Sequence, residues 1–178
     1  MDRELMKRAY AFAKQKHKYQ LRDNGEPYIY HPVRVAKLIA IYKPSKNEDI
    51  LIASALLHDT LEDTYTSYRE LKENFGEKVA SIVVELTTAG YMPVLEGKDV
   101  YLSHKMENMS SYALCVKLAD RLDNIMSLEG TTQEKRQRIL SQTQNILDYL
   151  ENHITYTSSQ QKLVNAIKDE MKKYNKNY

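Results

Sequence analysis

The sequence predicts an all-α protein, a single bundle of about eight to nine helices. Three observations carry that expectation. Apolar residues recur at spacings of three and four nearly throughout, the pattern of helices with one buried side. Glycine and proline number only 5 and 4 in 178 residues, so turns are few and helices long. No alternating apolar pattern persists long enough to mark a sheet. A chain of this length suits one domain over residues 1–178 with a substantial core.

The elements follow in order. Residues 2–20 place Leu5, Met6, Ala9, Phe12, Ala13 and Lys16 along one side of a first helix. "RDNGEPYIYHP" interrupts it: Asn24-Gly25 marks a turn, and Pro27 and Pro32 exclude continuous helix. Pro32 suits the first turn of a second helix, "PVRVAKLIAIY". "KPSKNED" ends that helix, and a third is expected over about 47–62. Later starts carry capping boxes, in which a hydroxyl and a Glu or Gln three residues on satisfy open amide groups. Ser67 with Glu70, Thr131 with Glu134, and Ser158 with Gln161 fit that pattern. Gly76 is expected to close a short helix over 67–75, with helix resuming over about 77–89. "AGYMPVLEGKD" is the largest loop and a candidate lid. Helices near 98–109, 111–127, 132–151 and 159–174 complete the chain.

Composition excludes some classes of function. Net charge is +2, with acidic and basic residues interleaved, which argues against a dedicated nucleic-acid binder. The longest apolar runs, such as "AKLIAIY", are too short to span a bilayer. The N-terminus "MDRELMKRAYAFAKQ" is amphipathic and lacks the apolar centre of a signal peptide, so a cytoplasmic protein is expected. The one cysteine, Cys115, sits among apolar residues and reads as a packing residue. Oligomeric state is not legible.

Chemistry concentrates in "ALLHDTLEDT", residues 55–64, where an aliphatic helix ends in His58, Asp59, Glu62 and Asp63. Such groups are costly to bury without partners. On a helix, adjacent His58 and Asp59 both reach one ion, while Glu62 and Asp63 follow one turn on. That spacing gives two metal ligands and then two carboxylates for proton transfer. Two further ligand candidates are His31, in "YIYHPVRVA", and Asp120, within the aliphatic run "VKLADRLDN". His31, His58, Asp59 and Asp120 make a mixed N/O set without thiolate, which suits manganese, iron or zinc. Plainer readings stand beside each residue. An HD pair serves as a cap or a satisfied polar pair, His31 as a loop histidine, and Asp120 as an ion-pair partner of Lys117 or Arg121.

The motifs "HKYQLRDNGEPYIYHPVRVAKLI", "ALLHDTLEDTYTSYRELKENFGEKVASIVVELT" and "VKLADRLDNIMSL" together resemble the HD-domain phosphohydrolases. Specifically, they resemble the hydrolase domain of the RelA/SpoT homologues and their small stand-alone versions. The likeness covers about residues 5–128, with 132–174 as supporting helices. It implies metal-dependent hydrolysis of (p)ppGpp, releasing the 3′-pyrophosphate and leaving GDP or GTP. By position it implies His31, His58, Asp59 and Asp120 as manganese ligands and Glu62 with Asp63 as the acids that activate water. It implies Arg22, Asn124 and Ser127 as contacts to a guanine nucleotide. Two departures bear on that ligand. Asp23 stands where the bifunctional enzymes carry lysine, and Asp123 where histidine is familiar, so each is expected to set an anion near a polyanion. The alternatives are the same chemistry on another nucleotide pyrophosphate or phosphomonoester, and a non-catalytic alarmone-binding protein.

Overall fold

The computed structural model describes residues 2–88 and 90–175. Among these residues every regular element is a helix, and nine helices run eight residues or more. No described helix is long and apolar enough to cross a membrane. The chain divides into two compact units, Met1–Thr88 and Ala89–Tyr178.

The first unit holds α1 (Arg3–Lys16), α2 (Tyr30–Tyr42), α3 (Glu48–Leu57), α4 (Thr60–Asp63), α5 (Tyr68–Phe75) and α6 (Glu77–Leu86). α3 is its centre and packs on α1, α2 and α6. Residues Ala53 through Leu57 are all buried, so α3 shows no solvent face along its last turns. A helix apolar all round belongs inside a core. Its one buried hydroxyl, Ser54, donates to the Ile50 carbonyl at 2.8 Å and so enters the core satisfied.

α3 does not run on to residue 62. It stops at Leu57, and α4 begins only at Thr60. The reason is local competition for carbonyls. His58 Nδ1 bonds the Ala55 carbonyl at 2.8 Å, and the Thr60 hydroxyl donates to the Leu57 carbonyl at 2.7 Å. In an unbroken helix those carbonyls would receive the amides of residues 59 and 61. His58 and Asp59 therefore sit at a joint.

α1 is also shorter than the spacing predicts, ending at Lys16. His17 to Gln20 form a tight turn, with the Gln20 amide donating to the His17 carbonyl at 3.0 Å. The Asn24-Gly25 turn is present, and Gly25 adopts φ +83°, where side chains are strained. Arg22 N donates to Glu26 O and Tyr28 N to Gln20 O, both at 2.9 Å, folding the loop back on itself. The loop thereby delivers Tyr28 and His31 to the start of α2.

The second unit holds α7 (Met92–Glu96), α8 (Lys98–Glu107), α9 (Ser111–Met126), α10 (Gln133–His153) and α11 (Ser158–Asn175). α9 packs on α11 and α10, and α8 on α10. Cys115 is fully buried in α9, as its apolar setting predicts. The expected loop 89–99 carries the five-residue α7; Ala89 lies outside the described residues. Two caps fall one residue from their predicted places. Thr132, not Thr131, accepts from the Lys135 amide at 3.3 Å. Thr157 and Gln160, not Ser158 and Gln161, form a reciprocal box, with Thr157 N to Gln160 Oε1 at 2.8 Å and Gln160 N to Thr157 Oγ1 at 3.4 Å. Where hydroxyls adjoin, pattern alone does not choose the cap. Ser67 caps α5 as predicted, accepting from Glu70 N at 3.1 Å, although the Glu70 carboxylate turns to Lys16.

Candidate active site

Three predicted ligands meet in the first unit. His31, in the first turn of α2, and His58, at the end of α3, are 3 % and 2 % exposed. Their ring centroids lie 5.1 Å apart. Asp59 Oδ2 is 2.9 Å from His58 Nε2 and 3.6 Å from His31 Nε2. Because the Ala55 carbonyl only accepts, His58 carries its proton on Nδ1, and Nε2 is the nitrogen with the lone pair. Tyr28 OH donates to the same Asp59 oxygen, fixing the carboxylate in place. Two imidazole nitrogens and one carboxylate oxygen thus converge on a single small volume. That donor set fits a divalent ion of intermediate softness, and the backbone bond to His58 is the outer support that metal-bound histidines typically have.

Glu62 and Asp63 lie on α4, both exposed. Thr88 N donates to Glu62 Oε2 at 2.8 Å, and Gln20 Nε2 donates to Asp63 Oδ2 at 2.9 Å. Each acid is therefore held at one oxygen. They border an open groove of about 740 Å³ that also touches Lys18, Tyr19 and Tyr65. Arg22 is half-buried in the folded-back loop, and Asp23 beside it is exposed.

Asp120, Asn124 and Ser127 lie along α9 and its C-terminal end, in the second unit. Asp120 is 6 % exposed. Lys117 Nζ sits 2.9 Å from Asp120 Oδ2, so the ion pair offered as the plainer reading of Asp120 is present. Asn124 Nδ2 donates to Asp120 Oδ1 at 2.7 Å. Asn124, expected as a nucleotide contact, thus orients a carboxylate here. Ser127 is half-buried at the end of α9. Asp123 is 1 % exposed, so of the two acidic departures only Asp23 stands open to solvent. Arg121 is buried, which pulls its guanidinium below the usual arginine range against the raising effect of Asp120. Its Nη1 contacts Gln142 Oε1 at 3.3 Å.

Sequence reasoning passed over Tyr28, His17 and Gln20. All three lie in the first resemblance motif, but tyrosine, glutamine and a helix-end histidine carry no metal or acid signature alone. Only the folded loop shows that Tyr28 touches Asp59, that Gln20 touches Asp63, and that His17 bonds Gln20.

Residues 9–153 match the family model described as the HD domain. The guanosine-3′,5′-bis(diphosphate) 3′-pyrophosphohydrolase of Aquifex aeolicus (strain VF5) is 43% identical over 152 residues, covering 80% of this chain. The chain spans about a fifth of that relative, 20% of its length. The guanosine-3′,5′-bis(diphosphate) 3′-pyrophosphohydrolase MESH1 of Xenopus tropicalis is 38% identical over 135 residues, covering 75% of this chain and 74% of its own. A solved structure of a metazoan ortholog of SpoT, described as hydrolysing ppGpp and playing a role in starvation responses, matches with a TM-score of 0.77. That match is at 26% identity and covers 95% of this chain and 97% of the other. With the His-Asp pair at the joint after α3 and the family match over residues 9–153, the chain belongs to the HD-domain family.

Proposed function

We propose that this chain hydrolyses (p)ppGpp with the help of a divalent cation, releasing the 3′-pyrophosphate and leaving GDP or GTP. The observation that carries the reading is the convergence of His31 Nε2 and His58 Nε2 on Asp59 Oδ2, with Glu62 and Asp63 on the next short helix. Similarity to two named 3′-pyrophosphohydrolases supports the choice of substrate. His31, His58 and Asp59 would hold the ion, with Asp120 as the fourth ligand. The mixed imidazole and carboxylate set supports manganese. When bound, such an ion supplies Lewis acidity, acidifying water and drawing charge from phosphoryl oxygens.

The chain's own groups supply the rest. Glu62 Oε2 is anchored by the Thr88 amide, so Oε1 is the oxygen proposed to take the proton from attacking water. Asp63, held by Gln20, would orient that water. Arg22 would neutralise phosphate charge, and Asn124 and Ser127 would contact the nucleotide. The proposed setting is the cytoplasm, where guanine nucleotides are made.

The ligand set is tested by metal content. Asp59→Ala together with Asp120→Ala is expected to lose bound manganese, measured by elemental analysis after gel filtration; full retention rejects the set. Exposed Asp23 favours one second reading, the same chemistry on a less anionic nucleotide. Assaying Asp23→Lys against wild type on ppGpp and on simpler nucleotides separates the two. A lower KM for ppGpp in the variant supports the first reading. Preference of the wild type for a simple phosphomonoester supports the second.

A further inference from the structure

His17 has no place in the ligand set or among the proposed acids, yet the fold buries it beside them. It is 3 % exposed, and its Nε2 is enclosed with no hydrogen-bond partner among the described residues. Its Nδ1 lies 2.6 Å from Gln20 Oε1, while Gln20 Nε2 reaches Asp63 Oδ2 at 2.9 Å. The other side of the imidazole rests on the Tyr28 ring, with centroids 4.8 Å apart.

Chemistry fixes the direction of each bond. An ionised carboxylate only accepts, so the Gln20 atom facing Asp63 is its amide nitrogen. The opposite end of that amide is then a carbonyl oxygen, which also only accepts. His17 must therefore offer Nδ1–H. A neutral imidazole has one proton to give, so Nε2 is left bare in a packed interior. Burial, the largest influence on His17, favours this neutral form. An enclosed, unmatched ring nitrogen is a cost to folding. A histidine that merely filled space would be replaceable without that cost.

We infer that His17 is a positioning residue: through its Nδ1–H it locks the Gln20 amide in the one orientation that presents N–H to Asp63. The inference rests on the proposed role of Asp63 in orienting water. Without His17 the Gln20 side chain, which is only half-buried, rotates or flips and turns its carbonyl toward the carboxylate.

Three variants of the full chain test it: Gln20→Leu, His17→Phe and the two combined. Phenylalanine keeps a ring against Tyr28 and deletes the N–H. Each single change is expected to lower kcat for ppGpp by about 10-fold, as loss of an orienting outer partner commonly does. KM and bound manganese are expected to stay unchanged. The double variant is expected to be no slower than Gln20→Leu alone, because His17 acts only through Gln20. Losses that multiply, or an unchanged kcat in either single variant, overturn the inference. Should His17→Phe fail to fold, Gln20→Leu decides on its own by the same kcat criterion. Nitrogen-15 NMR of the wild type gives a readout independent of substrate. A proton on His17 Nδ1 is expected, and one on Nε2 overturns the chain of donors. A wild type that does not hydrolyse ppGpp but shows the Nδ1 proton would instead count against the proposed function.

Discussion

Asp59 concentrates the residue-scale argument. One of its oxygens receives Tyr28 OH and lies within reach of two imidazole nitrogens. Tyr28 is the partner that sequence reading missed, and it gives the sharpest local prediction. Tyr28→Phe removes the donor and little else, and manganese affinity is expected to fall by about 10–100-fold, the usual effect of losing an outer partner. Isothermal titration of the metal-free protein measures it; an unchanged Kd would mean that Asp59 needs no such support. His17 gives a second. Burial holds its pKa below the ordinary 6.5, outweighing the raising effects of Gln20, Asp59 and Asp63 and acting alongside the lowering effect of His58. The unfolded chain therefore takes up a proton where the folded chain does not. Stability contributed through His17 is full above the ordinary histidine value and is lost as pH falls through 6.5 toward the depressed value. Urea unfolding between about pH 7 and about pH 5 is expected to show a shallower decline in His17→Phe than in wild type. Parallel slopes would contradict the assignment.

At the scale of elements, α3 and the joint after it decide the site. The helix is buried along its last turns and leads into His58 and Asp59, so rigidity of its core side chains becomes rigidity of the ligands. Leu57 is fully buried immediately before His58. Leu57→Ala is expected to destabilise the protein by about 2–5 kcal/mol, the range for truncating a buried leucine. It is also expected to weaken metal binding, because the emptied space lies one residue from a ligand. Chemical unfolding and metal titration of the same variant check both; a loss of stability below about 1 kcal/mol would show a core that closes over the gap. The break at 58–59 was not legible in the sequence. Apolar periodicity reports which side of a helix is buried, and it runs smoothly through "LIASALLHDTLED". What ends the helix is a ring nitrogen and a hydroxyl taking backbone carbonyls, which no periodicity records. The cap shifts to Thr132 and Thr157 have the same origin, since Thr131–Thr132 and Thr157–Ser158 each offer two adjacent hydroxyls.

For the whole molecule, helical content and most helix positions were legible because long amphipathic segments between few glycines and prolines have one dominant solution. The candidate ligands were legible because His-Asp in an aliphatic run is chemically out of place. The supporting residues were not: Tyr28, His17 and Gln20 acquire meaning only from the folded-back loop, and the burial of Asp123 is likewise visible only in the fold. Under the proposed function these parts serve one chemistry, phosphoester hydrolysis at a divalent ion. The function proposed for this chain is removal of the 3′-pyrophosphate of ppGpp, with Glu62 taking a proton from water. The direct measurement is mass spectrometry of the products when manganese-loaded wild type and Glu62→Gln are incubated with ppGpp. GDP and pyrophosphate from the wild type are predicted, with kcat reduced by about 10²–10⁴-fold and metal retained in Glu62→Gln. Intact ppGpp after incubation with metal-loaded wild type, or equal turnover by the variant, would contradict it.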